Sequence, residues 1–143
     1  MTLPGRVVST HLYRIRFIQD GRHLRASVTG YVGTFDSTVA YWQAIANEVR
    51  AVAPRTLLVV DQREGTPLPE EQMGQLLDTL RAFGLADIRM AYVETRLQHF
   101  AMAEVVEILA CEKGFDVRVF SNEMDAELWL RHGEPQSAAN RDG

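Results

Sequence analysis

Three acidic residues and one arginine occupy positions where α/β proteins commonly carry their chemistry. Asp61, Arg63 and Glu64 follow the apolar run 57–60, and Glu94 follows a second predicted strand. In open parallel sheets, ligands bind beyond the carboxyl ends of the strands, so we expect these side chains to converge there. Paired carboxylates are typical of general acid–base catalysis. The pattern therefore predicts a ligand-binding rim that contains the residue types of an acid–base site.

The other polar residues of this rim belong to types that also cap helices. They are Asp36, Thr66 and Thr95, with Thr34, Ser121 and Asn122 beside them. Asp, Ser, Thr and Asn accept hydrogen bonds from the free N–H groups at a helix start, which explains their presence without any ligand. We therefore favour helix caps and solvated loop charges over a catalytic site. Binding of a small anion at the helix N-termini stays open, since it needs only backbone donors.

Motifs for cofactors, metals and nucleophilic catalysis are missing from the sequence. It contains no Walker phosphate loop, no Gly-x-Gly-x-x-Gly run and no Gly-x-Ser-x-Gly nucleophile elbow. The 4 histidines are scattered, and no two have the i, i+4 spacing of a helical metal site. Cys111 is the only cysteine, which excludes an internal disulfide and indicates an ordinary thiol. We expect no cofactor, no metal and no enzymatic activity.

Residues 11–31 are predicted to form a β-hairpin. Asp20 and Gly21 have the residue types of a two-residue turn, and apolar residues alternate on both sides of it. This turn predicts a register in which Tyr13 faces Val28 and Arg16 faces Arg25.

The rest of the chain alternates predicted helices with predicted strands. Helices are predicted over 36–53, 69–83, 95–113 and 122–132, and strands over 56–61, 87–93 and 115–120. Asp36 or Ser37 is expected to cap the first helix, and Thr95 with Gln98 fits a capping box for the third. The order β-β-α-β-α-β-α-β-α predicts one α/β domain over 11–132 with a five-stranded mixed sheet, mostly parallel with an antiparallel first strand. Residues 1–10 are expected to be an extension and 133–143 a flexible tail.

The end of the predicted domain carries a family resemblance. The strand 117–120 is followed by Ala126, Trp129 and Leu130, and this Ala-x-x-Trp-Leu ending resembles that of bacterial SpoIIAA-like proteins. Thr29-Gly30-Tyr31, leading into Asp36, is similar to the same group's link from second strand to first helix. The group includes STAS domains (of sulphate transporters and anti-sigma-factor antagonists) and, more distantly, the CRAL-TRIO lipid-transfer fold. The resemblance implies a SpoIIAA-like fold and a non-catalytic regulatory or protein-interaction role.

One departure from that family concerns phosphorylation. Anti-sigma-factor antagonists carry an Asp-Ser-Gly type phosphoacceptor at the start of the helix after the central strand. The corresponding residues 61–70 contain no serine, and Thr66 is their only hydroxyl. We therefore do not expect a phosphorylation switch there.

The predicted third helix carries more apolar surface than one narrow core stripe. Phe100 falls on its own row with Glu104, Glu107 and Cys111. The row is interpreted either as an interface with a protein partner or a second copy, or as the rim of a wide core face with one exposed aromatic. A homodimer through this helix is the corresponding hypothesis.

Charge and hydropathy limit the other partners. The formal net charge of −4 makes nucleic acid an unexpected partner. Arg14, Arg16 and Arg25 share one face of the hairpin, which indicates either an acidic partner or anion, or a solvated edge with internal counterions. No apolar run approaches the roughly 20 residues of a membrane span, and we expect a cytoplasmic protein.

Three functions therefore stay open. An interaction module predicts an exposed apolar patch around Phe100. A binding protein for a small apolar or anionic, lipid-like ligand needs an enclosed apolar cavity of roughly 300 Å³ or more. An enzyme needs at least two of Asp61, Glu64 and Glu94 facing one concave pocket, with shifted ionisation.

Overall fold

The described chain is organised around one mixed β-sheet whose strands lie side by side in sequence order. The structure, a computed structural model, describes residues 5–31 and 33–132. The strands are β1 (Arg6–Ser9), β2 (Tyr13–Asp20), β3 (His23–Tyr31), β4 (Thr56–Glu64), β5 (Arg89–Glu94) and β6 (Val117–Phe120). β1, β2 and β3 pair antiparallel, and β3 to β6 pair parallel. The α/β class and the mixed sheet are thus confirmed.

Of the described helices, three pack on one face of this sheet and one packs on the other. They are α1 (Phe35–Val52), α2 (Glu70–Ala82), α3 (Leu97–Glu112) and α4 (Glu123–His132), with a short 3₁₀ turn at Leu85–Asp87. Crossovers between neighbouring parallel strands are right-handed, so the three connecting helices α1 to α3 lie on one face. The last helix, α4, returns to the opposite face, over β4, β5 and β6. No helix within 5–31 and 33–132 is long and apolar enough to cross a membrane.

Strand β4 separates two hydrophobic cores. Leu57 and Val59 point into the larger core under α1, α2 and α3, whereas Leu58 and Val60 point into the smaller core under α4. Successive side chains of a strand alternate between the faces, so a strand that is buried on both faces is an unbroken apolar run. The apolar run over 57–60 follows from this burial on both faces.

The expected number of strands was wrong by one. Residues 6–9, predicted to belong to an N-terminal extension, form the edge strand β1, with Val8 opposite Ile15 of β2. The side chain of Val7 is 52% exposed, so this strand buries little apolar surface and leaves a weak pattern in the sequence. Its backbone groups instead pair with the otherwise open edge of β2. The expected tail, 133–143, lies outside the described residues.

The hairpin register differs from the prediction by two residues. Ile15 pairs with Val28 and Arg16 with Ser27, because the two turn residues are Gly21 and Arg22. Gly21 has a φ of 60°, which glycine adopts without strain. The two-residue shift leaves every side chain on its predicted face, since the faces alternate with period two. The predicted direct opposition of Arg16 and Arg25 is wrong.

Two helix starts also differ from the predictions. Thr34, not Asp36 or Ser37, is the N-cap of α1, and the Ser37 N–H donates to Thr34 Oγ1 at 3.1 Å in a capping box. α3 has no side-chain cap, so the box predicted from Thr95 and Gln98 is wrong. The backbone N–H of its N-cap residue, Arg96, instead donates to a Glu94 carboxylate oxygen at 3.0 Å.

Candidate functional site

A cavity of about 120 Å³ lies between the sheet and helices α2 and α3. Most of its wall is apolar, and includes Met73, Leu76, Leu80, Met90, Met102 and Val106. One end is polar and is formed by Asp61, Arg63, Tyr92, Glu94, Arg96 and His99. The arrangement follows from strand alternation, because β4 and β5 present apolar residues and then charged residues on the same face as they approach their carboxyl ends. The site has the shape of a small apolar pocket with several convergent polar groups.

Asp61 and Glu94 lie side by side at the polar end. They are paired positions of the neighbouring parallel strands β4 and β5, and they are only 2% and 4% exposed. Two adjacent buried carboxylates repel each other unless each has a counterion. Each is therefore expected to need a cation of its own.

Arg63 is the counterion of Asp61. Its Nε and backbone N–H both donate to Asp61 Oδ1 at 3.0 Å, and its Nη2 donates to Oδ2 at 2.8 Å. The Tyr92 hydroxyl also donates to Oδ2. Burial alone would raise the pKa of Asp61, but the hydrogen bonds and charge of Arg63, together with the Tyr92 hydrogen bond, lower the pKa below its ordinary value. Asp61 is thus a carboxylate at neutral pH, with its lone pairs largely occupied.

Arg96 is the counterion of Glu94. Its backbone N–H and Nε donate to Glu94 Oε2 at 3.0 Å, and its Nη2 donates to Oε1 at 3.1 Å. Acid-x-Arg thus recurs at the ends of two adjacent strands, and each carboxylate receives a fork of hydrogen bonds from the arginine two residues later. The two ion pairs leave the polar end without net charge.

One nitrogen of the Arg63 guanidinium is not engaged by any described residue. Its Cζ lies 4.4 Å from the centroid of the Tyr41 ring, and Nη1 has no hydrogen-bond partner among the described residues. Burial raises the pKa of Tyr41, so that ring remains a neutral phenol. A buried donor without an acceptor costs free energy that an incoming acceptor recovers. Nδ1 of His99, on the same lining, is likewise buried without a partner in the described part of the chain.

The cavity contains some of the predicted rim residues and not others. Asp61, Arg63 and Glu94 come together there, as their positions after the strands predicted. Four other rim residues are exposed and do not line it: Asp36, Glu64, Thr66 and Thr95. Sequence reasoning missed Tyr41, Tyr92, Arg96 and His99. The repeated acid-x-Arg spacing was the available signal for Arg96.

The predicted interface row on α3 has mixed surroundings. Phe100 is half-buried and Glu104 exposed, while Glu107 Oε1 accepts a hydrogen bond from the backbone N–H of Val119 at 2.7 Å. This hydrogen bond uses a backbone N–H of the edge strand β6. The exposed apolar side chains of α3 lie elsewhere, at Leu97 (81%), Val105 (36%) and Ile108 (60%).

Cys111, the last residue of that row, remains a thiol at neutral pH. Desolvation, followed by the charges of Glu107 and Asp116, raises its pKa, although the residue as a whole is exposed. A raised pKa leaves little of the nucleophilic thiolate.

Comparisons with known proteins add no assignment. No protein-family model matches the sequence, and no curated protein matches it at a significant level. Within the described ranges, no three His, Cys, Asp or Glu side chains are grouped closely enough to hold a metal ion. The function is therefore argued from the cavity itself.

Proposed function

We propose that this protein binds a small, mostly apolar molecule with one uncharged hydrogen-bond acceptor in the cavity. The observation that carries the proposal concerns Arg63, which lines the cavity and whose buried Nη1 has no acceptor among the described residues. A carbonyl or ester oxygen at the polar end would accept that hydrogen bond. The remainder of the ligand would contact Met73, Leu76 and Val106.

Charge balance favours an uncharged acceptor over an anion. Asp61 and Glu94 are each paired with an arginine, so an additional anion would face two carboxylates while Arg63 and Arg96 are already engaged by them. A neutral oxygen satisfies Nη1 without adding charge.

The volume favours a ligand much smaller than a fatty acid. The cavity, at about 120 Å³, falls short of the roughly 300 Å³ expected of a lipid-like binding site. Because an apolar cavity of roughly 150 Å³ holds benzene, this volume suits a ligand of about six non-hydrogen atoms.

The protonation states favour binding over acid–base catalysis. A general acid must carry a proton near neutral pH, and a general base must hold a lone pair that reaches the substrate. Arg63 and Tyr92 keep Asp61 ionised and engage both of its oxygens. Arg96 engages both oxygens of Glu94.

The test is an NMR titration with three probes of similar size. Cyclopentanone offers a neutral acceptor, cyclopropanecarboxylate an anion, and cyclopentane no acceptor. We expect cyclopentanone to bind most tightly and to shift the methyl signals of Ala103 and Val106, which line the cavity. Tightest binding of the carboxylate, or no shift at these methyls with any probe, would contradict the proposal.

A matched pair of alanine substitutions locates the binding. Ala103→Leu places a larger side chain in the cavity, whereas Ala101→Leu adds the same atoms at an exposed position of the same helix. We expect Ala103→Leu to weaken cyclopentanone binding by about tenfold or more, since the cavity loses its free volume. Ala101→Leu should bind like the wild type. Equal effects of the two substitutions would argue against the cavity.

We also propose a protein-interaction role, in which α3 pairs with a second copy of the chain, as the resemblance to STAS domains implies. Leu97, Val105 and Ile108 support it, because they form an exposed apolar stripe along one side of α3. A single apolar stripe is self-complementary across a two-fold axis. We expect light scattering to detect a dimer that Ile108→Glu dissociates. A monomer at high concentration would remove this role.

A further inference from the structure

A second concave surface lies on the opposite face of the sheet from the cavity. There α4 packs over β4, β5 and β6, and the described residues leave most of β2 and β3 uncovered. The resulting basin measures about 530 Å³. Its polar lining consists of three arginines and three uncharged hydrogen-bonding residues: Arg14, Arg16, Arg25, Ser27, Thr29 and Gln62.

The sheet register brings these side chains together in rows. Arg14 of β2 pairs with Thr29 of β3, which pairs in turn with Gln62 of β4. Arg16 pairs with Ser27 in the row on the same face. Each of the two β2 arginines therefore lies beside a hydroxyl group on the neighbouring strand β3. Together, an arginine and a hydroxyl can donate hydrogen bonds to several oxygens of one ligand.

The basin carries more positive charge than its own carboxylates neutralise. Arg25 is paired, since its Nη2 lies 2.7 Å from Glu123 Oε1 and its Nη1 donates to Ser27 Oγ at 2.6 Å. For Arg14 and Arg16, no carboxylate lies within ion-pair distance among the described residues, and both are exposed. This excess occurs in a chain with a formal net charge of −4, whose buried arginine Arg63 is paired.

We propose that this basin binds a free oligophosphate anion, with Arg14 and Arg16 as the principal ligands. Two parallel N–H groups of a guanidinium can donate to two oxygens of one phosphate group. The hydroxyls of Ser27 and Thr29 supply further donors. The α-carbons of the two arginines are two residues apart on one strand, about 7 Å. An anion whose charge extends over linked phosphates therefore engages both arginines better than a single phosphate does.

The residues that line the basin favour a free anion over a single-stranded nucleic acid or an anionic membrane as its ligand. No aromatic residue is among the described residues that line the basin, so these offer unpaired bases nothing on which to stack. Ile18, the one apolar residue among them, is half-buried and gives a bilayer no anchor. The site lies on the other face of the sheet from the cavity and does not depend on the function proposed there.

The experiment is calorimetric titration of the full chain with inorganic triphosphate at low ionic strength. We expect saturable binding at one site, at least about tenfold tighter than orthophosphate, and weakened by added salt. Arg14→Gln combined with Arg16→Gln should weaken binding by about tenfold or more. Arg55→Gln combined with Arg81→Gln is the matched control, because both residues are exposed, lie outside the basin, and remove the same charge.

The outcomes separate the proposal from its alternatives. Wild-type amide shifts confined to the residues that line the basin, Arg14 and Arg16 included, would support it without relying on any variant. Equal weakening by the two double variants would overturn it, since binding would then follow net charge alone. Tighter binding of single-stranded DNA or of phosphatidylserine vesicles than of triphosphate would also overturn it, as would an absence of saturable binding.

Discussion

At the scale of single residues, the buried pair of Asp61 and Arg63 is the most informative feature of the chain. Replacing a buried ion pair with well-packed apolar residues is often neutral or stabilising, so such a pair is weak evidence of a purely structural role. Here Arg63 lines the cavity, and one of its guanidinium nitrogens has no acceptor among the described residues. The proposed ligand would give that nitrogen an acceptor, which is a role for the pair beyond stability.

Removing one member of this pair should be costly. Asp61→Asn leaves the Arg63 guanidinium buried without a counterion, and we expect a loss of about 3–5 kcal/mol in the free energy of unfolding. Glu64→Gln removes a carboxylate from an exposed position on the same strand and should change that free energy by less than about 0.5 kcal/mol. Urea denaturation measures both. Equal stabilities of the two variants would show that Asp61 does not compensate Arg63.

The same pair predicts a pH dependence. The pKa of Asp61 is lower in the folded chain than in the unfolded chain, so its contribution to stability is fully present above the unfolded value, about 3.9. It is lost as the pH falls through the folded value. Wild type should therefore lose its advantage over Asp61→Asn below about pH 4. Urea midpoints measured from pH 7 downwards test this, and a constant difference between the two proteins would contradict it.

The polar end of the cavity was only half predictable from sequence. Asp61, Arg63 and Glu94 follow apolar strands, and parallel strands end at a common edge, so their convergence follows from chain order alone. Tyr41 and His99 belong to helices, and which helical face meets the cavity depends on how α1 and α3 pack. That information is tertiary, and no local spacing contains it.

At the scale of elements, the hairpin shows what local patterns determine and what they leave open. Alternation assigned each side chain of β2 and β3 to its face. The register depended on which two residues form the turn, and Asp20-Gly21 and Gly21-Arg22 both contain the glycine that a tight turn needs. A shift of two residues keeps both faces intact, so the hydrophobic pattern could not distinguish the two registers.

Two glycines should respond to alanine in opposite directions. Gly30 ends the hairpin with a φ of 124°, and an added Cβ would lie 2.4 Å from the Leu12 carbonyl oxygen. Gly74 lies inside α2 with nothing within 4 Å of an added Cβ. We expect Gly30→Ala to cost about 1–3 kcal/mol or more. Gly74→Ala should stabilise by about 0.5–1 kcal/mol, because alanine loses less conformational entropy in a helix. Thermal unfolding of both variants is the measurement, and the same sign in both would contradict the backbone assignments.

At the scale of the whole molecule, the order of elements explains why the two proposed sites lie on opposite faces. Three successive crossovers place α1, α2 and α3 on one face, where the cavity forms beneath α2 and α3. Within 5–31 and 33–132, one helix, α4, packs on the other face, and it covers only half of the six-stranded sheet. The uncovered half carries the arginines of β2 and β3. The order of elements from β2 to α4 was predictable from sequence, whereas β1 was missed, and the position of the open half-face follows from that order.

Strand β1 lies at one edge of the sheet. β1 covers the open edge of β2, and Arg6 Nη1 donates to the buried carboxylate of Glu48 on α1. Deleting residues 1–9 should therefore expose unpaired backbone groups along β2 and leave Glu48 without its cation. We expect lower stability together with self-association that increases with concentration, because an open strand edge pairs with other chains.

Arg6→Gln separates the two effects of that deletion. It removes the ion pair with Glu48 but keeps the strand, so it should lower stability without adding self-association. Sedimentation of the full chain, the deletion and Arg6→Gln over a range of concentrations measures the difference. If the deletion sediments like the full chain, β1 is not what protects this edge. If Arg6→Gln associates as strongly as the deletion, the lost charge is responsible and not the lost strand.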